Sequence, residues 1–177
     1  RFISELSTRD VTSAAVSKQT GGVAYEIFDQ KVRDKVKQTG AAFELGLAKE
    51  GNTIRELAAA AGIDPDNLEK TMTDYNRYAE NGKDPEFHRP DGFPKVDKPK
   101  YYAIEITPAI HYYMGGLTID GKTRVINTKG QPIKGLFAAG EVMGGVHGKN
   151  RLGGNSISET ITFGRIAGTE AVKAVKQ

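Results

Sequence analysis

Arg151 stands between two glycine-rich turns in the stretch GLFAAGEVMGGVHGKNRLGGNSISET, residues 135–160, after a short apolar run and ahead of a long helical pattern. A helix N-terminus presents unpaired N–H groups and about half a positive charge, so it favours an anion or a developing negative charge. A guanidinium just upstream adds a planar, permanently charged fork suited to a carboxylate. Two anions match that chemistry: a substrate carboxylate, or the N1/C2=O edge of a flavin ring, which becomes anionic on two-electron reduction. A turn that merely reverses the chain, with Arg151 in a surface ion pair, fits the same spacing.

The elements that must hold such a site follow from composition and periodicity. Near residue 100 the chain changes from charged, Ala-rich, helix-like segments to β-branched stretches separated by glycine turns. In the first part, Thr53, Ile54, Arg55 and Glu56 have capping-box spacing, and the helix they open should stop at Gly62. Asp64 and Pro65 open another, with Leu68, Met72, Tyr75 and Ala79 on one face and Gly82 as its end. That stripe is read as core packing. NGKDPEFHRPDGFPKVDKPK is a long loop whose His88 is read as a solvated surface residue, since no metal-spaced partner surrounds it. In the second part YYAIEIT and LTID read as strands, GKTRVIN as a turn and strand, and GLFAAG as a buried strand ending in glycine. Ser156, Ile157, Ser158 and Glu159 have the spacing of a second capping box. The helix that follows carries Ile157, Ile161, Gly164, Gly168 and Val172 on one smooth face, expected to pack closely on a sheet or another helix.

The bulk composition excludes several classes. The 177 residues, 38% hydrophobic, suffice for one sizeable core or one core and part of another. No apolar run approaches the roughly 18 residues of a membrane span, and no leader pattern opens the chain. The net charge of +3 is scattered rather than striped, which argues against nucleic acid and leaves a small anionic substrate open. Without cysteine there is no disulfide framework, thiolate nucleophile or Cys-ligated metal.

Four motifs in order, RFISELSTRD, HYYMGG, GLFAAGEVMGGVHG and NRLGGNS, run from Arg1 to the final helix. Together they resemble the soluble flavocytochrome c fumarate reductases and, more broadly, the flavoprotein subunits of the fumarate reductase and succinate dehydrogenase superfamily. The resemblance implies an α+β chain: residues 1–110 as a capping (clamp) domain lacking its N-terminal part, and residues 111–177 as the C-terminal segment of a split FAD-binding α/β domain. It implies FAD, a small dicarboxylate substrate and a periplasmic location. The remainder of the flavin domain, and a haem domain or haem protein as electron donor, would be the partners. No G-x-G-x-x-G follows a starting strand, so the cradle for the ADP half of FAD lies elsewhere. With half a cofactor site, the chain alone is expected to hold no stable FAD and to be inactive. No C-x-x-C-H is present, so haem c would belong to another part of the parent protein.

Residue roles follow from matching motifs. By resemblance, Arg9 in STRD is the acid that protonates the substrate carbon, although guanidinium rarely gives up its proton. Desolvation in a closed cleft and a strongly basic developing carbanion would reconcile that role. From the tetrapeptide alone, a helix-start ion pair with Asp10 or a neighbour is the simpler reading. His111 and Arg151 match the family's ligands to a substrate carboxylate. Glu141 resembles the residue that accepts hydrogen bonds from the FAD ribityl or ribose hydroxyls. Tyr112, Gly153, Gly154, Asn155, Ser156 and Ile157 fall at cofactor-contacting positions, with Gly153–Ser156 as a backbone wall at the pyrimidine edge. His147 is read as structural. In some members main-chain carbonyls hold a sodium ion, here at Tyr113, Met114, Gly115, Glu141 and Met143.

The sequence also departs from the family pattern. Ser4 replaces a frequent Asn, and Tyr112 and Tyr113 stand where His and Thr are common. Fumarate is the first expectation for substrate, with another 2-enoate, such as that of a urocanate reductase, as the alternative. A non-enzymatic binding module and a flavin enzyme of different chemistry, such as a ketosteroid dehydrogenase, are the readings from other classes. A substrate without a carboxylate would leave Arg151 and His111 without a purpose.

Overall fold

The computed structural model describes residues 1–90 and 93–176. The chain divides into two compact units, Arg1–Pro108 and Ala109–Gln177. Helices and strands are mixed in both, in keeping with the expected α+β class.

In the first unit, β1 (Ala24–Asp29), β2 (Ala48–Gly51) and β3 (Tyr101–Ile106) form an antiparallel sheet of order β1-β3-β2. Ile27 pairs with Ala103, and Ala48 with Ile104. The central strand is therefore drawn from the stretch that composition assigns to the second part of the chain. Its partners β1 and β2 lie in segments that read as helical, because short strands among charged residues give little period-2 signal. The helices include α1 (Arg9–Ser17), α2 (Gln30–Lys35), α3 (Gly40–Glu44), α4 (Ile54–Ala61) and α5 (Pro65–Asn81).

Local chemistry sets the ends of α4 and α5. The Glu56 N–H donates to Thr53 Oγ1 at 3.1 Å, while the Glu56 carboxylate reaches back to the Asn52 N–H at 2.9 Å. Gly62 ends α4 at φ 68°, a left-handed conformation that costs glycine little. Asp64 caps α5 through the Asn67 N–H, and Gly82 closes it. Leu68, Met72 and Tyr75 are buried with Ala58, Phe93 and Val96, as the helical spacing requires. The long loop after Gly82 includes Phe93 and Val96 of this core; Asp91 and Gly92 lie outside the described residues.

Two carboxylates that composition does not reveal organise this unit. Asp29 is fully buried. Its Oδ1 accepts from the N–H groups of Lys31 and Val32 at the start of α2, and its Oδ2 from those of Asp97 and Lys98. Asp84 accepts from the Arg1 guanidinium at 2.6 Å and from the N–H groups of Glu86, Phe87 and Arg89. Burial pushes the Asp84 carboxyl up, but Arg1 and the backbone donors outweigh it and hold it at about 2.

The second unit is smaller. β4 (Arg124–Ile126) pairs antiparallel with β5 (Pro132–Phe137), and α6 (Asn155–Val175) packs on β5. Val125, Ala138 and Met143 are its core, with Ile119 and Phe163 against them. LTID does not form a strand: Leu117 and Ile119 make only isolated bridges, to Met143 and Val125. GLFAAG is not a buried strand either. β5 ends at Phe137 and is exposed from Pro132 to Leu136, because among the described residues it pairs with β4 alone; burial begins at Ala138.

The smooth face expected for α6 is also exposed, with Ile157 and Ile161 about two-thirds accessible. The helix instead turns Glu159 and Phe163 inward. Apolar residues lie on more than one side of α6, so periodicity does not decide which side this unit covers.

Candidate functional site

The second unit brings most of the expected site residues together. Two turns, Tyr113–Leu117 and Gly140–Gly145, are laced backbone to backbone: the Leu117 N–H donates to the Val142 carbonyl at 2.8 Å, and the Gly144 N–H to the Leu117 carbonyl at 3.0 Å. Glycine is required where they meet, since a Cβ at Gly116 would come within 2.2 Å of the Val142 oxygen. The Tyr113 N–H donates to Glu141 Oε1 at 2.9 Å, which fixes the carboxylate against the preceding turn. The turns carrying Met114, Gly115, Glu141 and Met143 are thus neighbours. Among the described residues no cluster of His, Cys, Asp or Glu has the arrangement to hold a metal, and main-chain ligation would need none.

His111, Tyr112, Glu141, Arg151, Ser156, Ile157, Thr160 and Ile161 line one cleft of about 450 Å³. Arg151 is only 5% exposed, so it is not the surface residue that spacing alone allows. Its guanidinium lies 4.4 Å over the Tyr112 ring, a cation–π contact, and Nη1 approaches the Leu152 carbonyl at 3.4 Å. His111 is exposed on the rim. Thr160 and Ile161 extend the wall one helical turn beyond Ser156 and Ile157. Their i+4 spacing from those residues was the signal that would have found them.

The second capping box does not form. Gly154 is the cap of α6, at φ 87°, with no side-chain cap to the first turn. Glu159 is instead buried, and the Tyr112 hydroxyl donates to its Oε2 at 2.8 Å. Burial and this bond push the Tyr112 phenol above its ordinary pKa. His147 Nε2 lies 3.7 Å from the same oxygen, and the His147 and Tyr112 rings meet edge to face at 5.6 Å. Sequence spacing pointed to the wrong partner for Glu159 because a capping box needs only local residues, whereas Tyr112 is distant in the chain.

Arg9 is the first residue of α1, in the first unit, after the uncapped Thr8. It is exposed there, followed by Asp10 in the same turn.

A family model described as FAD binding domain matches residues 1–157. The chain belongs to that family. It is 48% identical over 177 residues to "Fumarate reductase (cytochrome)" of Shewanella frigidimarina, covering all of this chain and 31% of that protein. It is 38% identical over 178 residues to "Urocanate reductase" of Eggerthella lenta, covering 97% of this chain and 29% of that protein. The chain thus spans under a third of the length of these two relatives. Among solved structures, the open conformation of a flavocytochrome c3 fumarate reductase matches with a TM-score of 0.81 and 46% identity, over 98% of this chain and 31% of that one. A 3-ketosteroid Δ1-dehydrogenase from Sterolibacterium denitrificans matches with a TM-score of 0.75 and 27% identity, over 100% of this chain and 37% of that one.

The residues present fit one end of FAD. At the start of α6, ideal Cβ atoms built on Gly153 and Gly154 would meet nothing within 4 Å, and the first turn has no side-chain cap. The Asn155 and Ile157 N–H groups donate to the Leu152 and Gly154 carbonyls at 3.2 and 3.0 Å, so what is open to a planar ring edge is the backbone face at Gly153 and Gly154. No comparable phosphate cradle for the ADP end occurs in the sequence.

Proposed function

We propose that this chain is the C-terminal part of an FAD-dependent fumarate reductase, comprising the capping domain without its N-terminal part and the closing segment of the flavin domain. The observation that carries the reading is the buried Arg151, seated on Tyr112 in a cleft that also holds His111, Glu141 and the start of α6. Family membership and the similarity to a fumarate reductase support it.

When bound, FAD supplies a hydride from N5. Glu141 would accept hydrogen bonds from the cofactor's hydroxyls, and Tyr112 and the residues from Gly153 to Ile157 would form its wall. Arg151 and His111 would grip one substrate carboxylate and withdraw charge from the double bond, so that one alkene carbon accepts the hydride. Arg9 would deliver a proton to the other carbon, completing succinate, with the pair of electrons resupplied by a haem domain or haem protein. A sodium ion held by the carbonyls of Tyr113, Met114, Gly115, Glu141 and Met143, and a periplasmic location, complete this reading. Among the described residues no helix is long and apolar enough to cross a membrane.

A second reading, reduction of another 2-enoate, is favoured by Tyr112 and Tyr113 and by the similarity to a urocanate reductase. The test is steady-state reduction of fumarate and of urocanate by the whole flavoprotein, with a reduced viologen as donor. Faster turnover of fumarate supports the first reading and of urocanate the second. Failure with both, in a protein that retains FAD, leaves the binding module or the different flavin chemistry.

A further inference from the structure

We propose that Glu159 and Tyr112 act as a coupled positioning pair for Arg151, a role that rests on the reading of Arg151 as a carboxylate ligand. Tyr112 and Arg151 line the cleft, whereas Glu159 does not. Glu159 sits one turn into α6 with its side chain only 4% exposed, a place where an ionisable group needs a purpose. Its Oε2 receives the Tyr112 hydroxyl at 2.8 Å. His147 packs edge-on against the Tyr112 ring, so the phenol is held both at its tip and at its side. The Arg151 guanidinium rests on the ring fixed in this way, at 4.4 Å.

The arrangement does two things for Arg151. It turns the electron-rich face of Tyr112 toward the guanidinium, which supports the cation through its flat face rather than through the edge N–H groups that grip a carboxylate. It also keeps the Glu159 carboxylate at the far end of the phenol, hydrogen-bonded there rather than competing with a substrate carboxylate for the fork. A tyrosine here thus combines a rigid platform with a spacer between two opposite charges.

The test uses the whole FAD-loaded flavoprotein and succinate as probe, with binding read from the perturbation of the flavin absorption spectrum. FAD content and thermal midpoint are measured alongside. In the FAD-loaded fraction, Tyr112→Phe and Glu159→Leu should each weaken succinate binding by roughly tenfold, and the double variant should be little worse than either single one. Glu159→Gln retains an oxygen that accepts the phenol O–H, and should recover most of the affinity. Additive losses, or an unchanged succinate affinity with only a lowered thermal midpoint, would overturn the proposal. If Glu159→Leu does not fold, Tyr112→Phe, which removes only a hydroxyl, and Glu159→Gln carry the test. Arg151→Met run in parallel separates the two levels. If it binds succinate normally, the reading of Arg151 falls and the positioning pair with it. If it alone loses binding, only the pair falls.

Discussion

The two units differ in how completely each satisfies its own residues. The first encloses a core around Ala58, Leu68, Met72, Tyr75, Phe93 and Val96, and ties down its loops with Asp29 and Asp84. The second buries little beyond Val125, Ala138 and Met143, and leaves Leu136, Ile157, Ile161 and Val172 exposed. Yet two of the second unit's charged residues, Arg151 and Glu159, are buried. Apolar surface left open beside buried charged groups is the pattern expected of a unit that shapes a ligand site.

The sharpest way to break this contrast is to remove from the first unit its one proposed chemical group. Arg9→Ala should lower kcat by roughly 10²–10⁴-fold with little change in succinate affinity, as loss of a positioned acid does. Reduction of the flavin by an external donor should survive, and Arg9→Lys should restore part of the rate. Steady-state fumarate reduction beside anaerobic flavin reduction checks it; a raised KM at normal kcat would make Arg9 a binding or hinge residue.

In the open unit, Arg151→Met should cost on the order of 2–5 kcal/mol in kcat/KM, since a substrate carboxylate loses its strongest partner. Lysine at this position should rescue poorly, lacking the planar fork that rests on Tyr112. Unchanged kcat/KM for fumarate would take Arg151 out of the site.

A smaller effect, on folding, should mark the first unit. Asp29→Ala leaves four backbone N–H donors without their acceptor, and should destabilise by about 3 kcal/mol in urea unfolding. Asp29→Asn, which keeps one oxygen, should lose less. Equal stability of the alanine variant and the parent would show that water replaces the carboxylate at no cost.

The smallest effect is a pH dependence from Asp84. Its carboxyl is held at about 2 in the folded protein against 3.8 ordinarily, so its contribution is present above about pH 4 and fades as pH falls toward 2. Asp84→Asn should therefore flatten the acid limb of unfolding in that window while lowering stability at neutral pH. An unaltered acid limb would assign the loss to other carboxylates.

What could be read in advance follows the same division. The ends of α4 and α5 are written in Thr53, Glu56, Gly62, Asp64 and Gly82, each acting on a backbone group within a few residues. The stripe of Leu68, Met72 and Tyr75 identified its buried face because the unit supplies the opposing surface. The same periodic reasoning misassigned α6 and GLFAAG, where apolar residues exceed what the second unit covers. β1 and β2 were missed because their identity as strands depends on β3, far along the chain.

Four ordered motifs identify the family without any coordinates, and the glycine turns and local helix ends are equally legible in residue order. These depend on residue type and short spacing, and survive any arrangement of the rest. It takes the folded chain to show that β3 belongs to the first unit's sheet, that Asp29 clamps a loop nearly 70 residues away, and that Glu159 leaves its cap for Tyr112. A buried carboxylate takes whichever donors the fold brings within hydrogen-bond reach, and separation along the chain does not limit that choice.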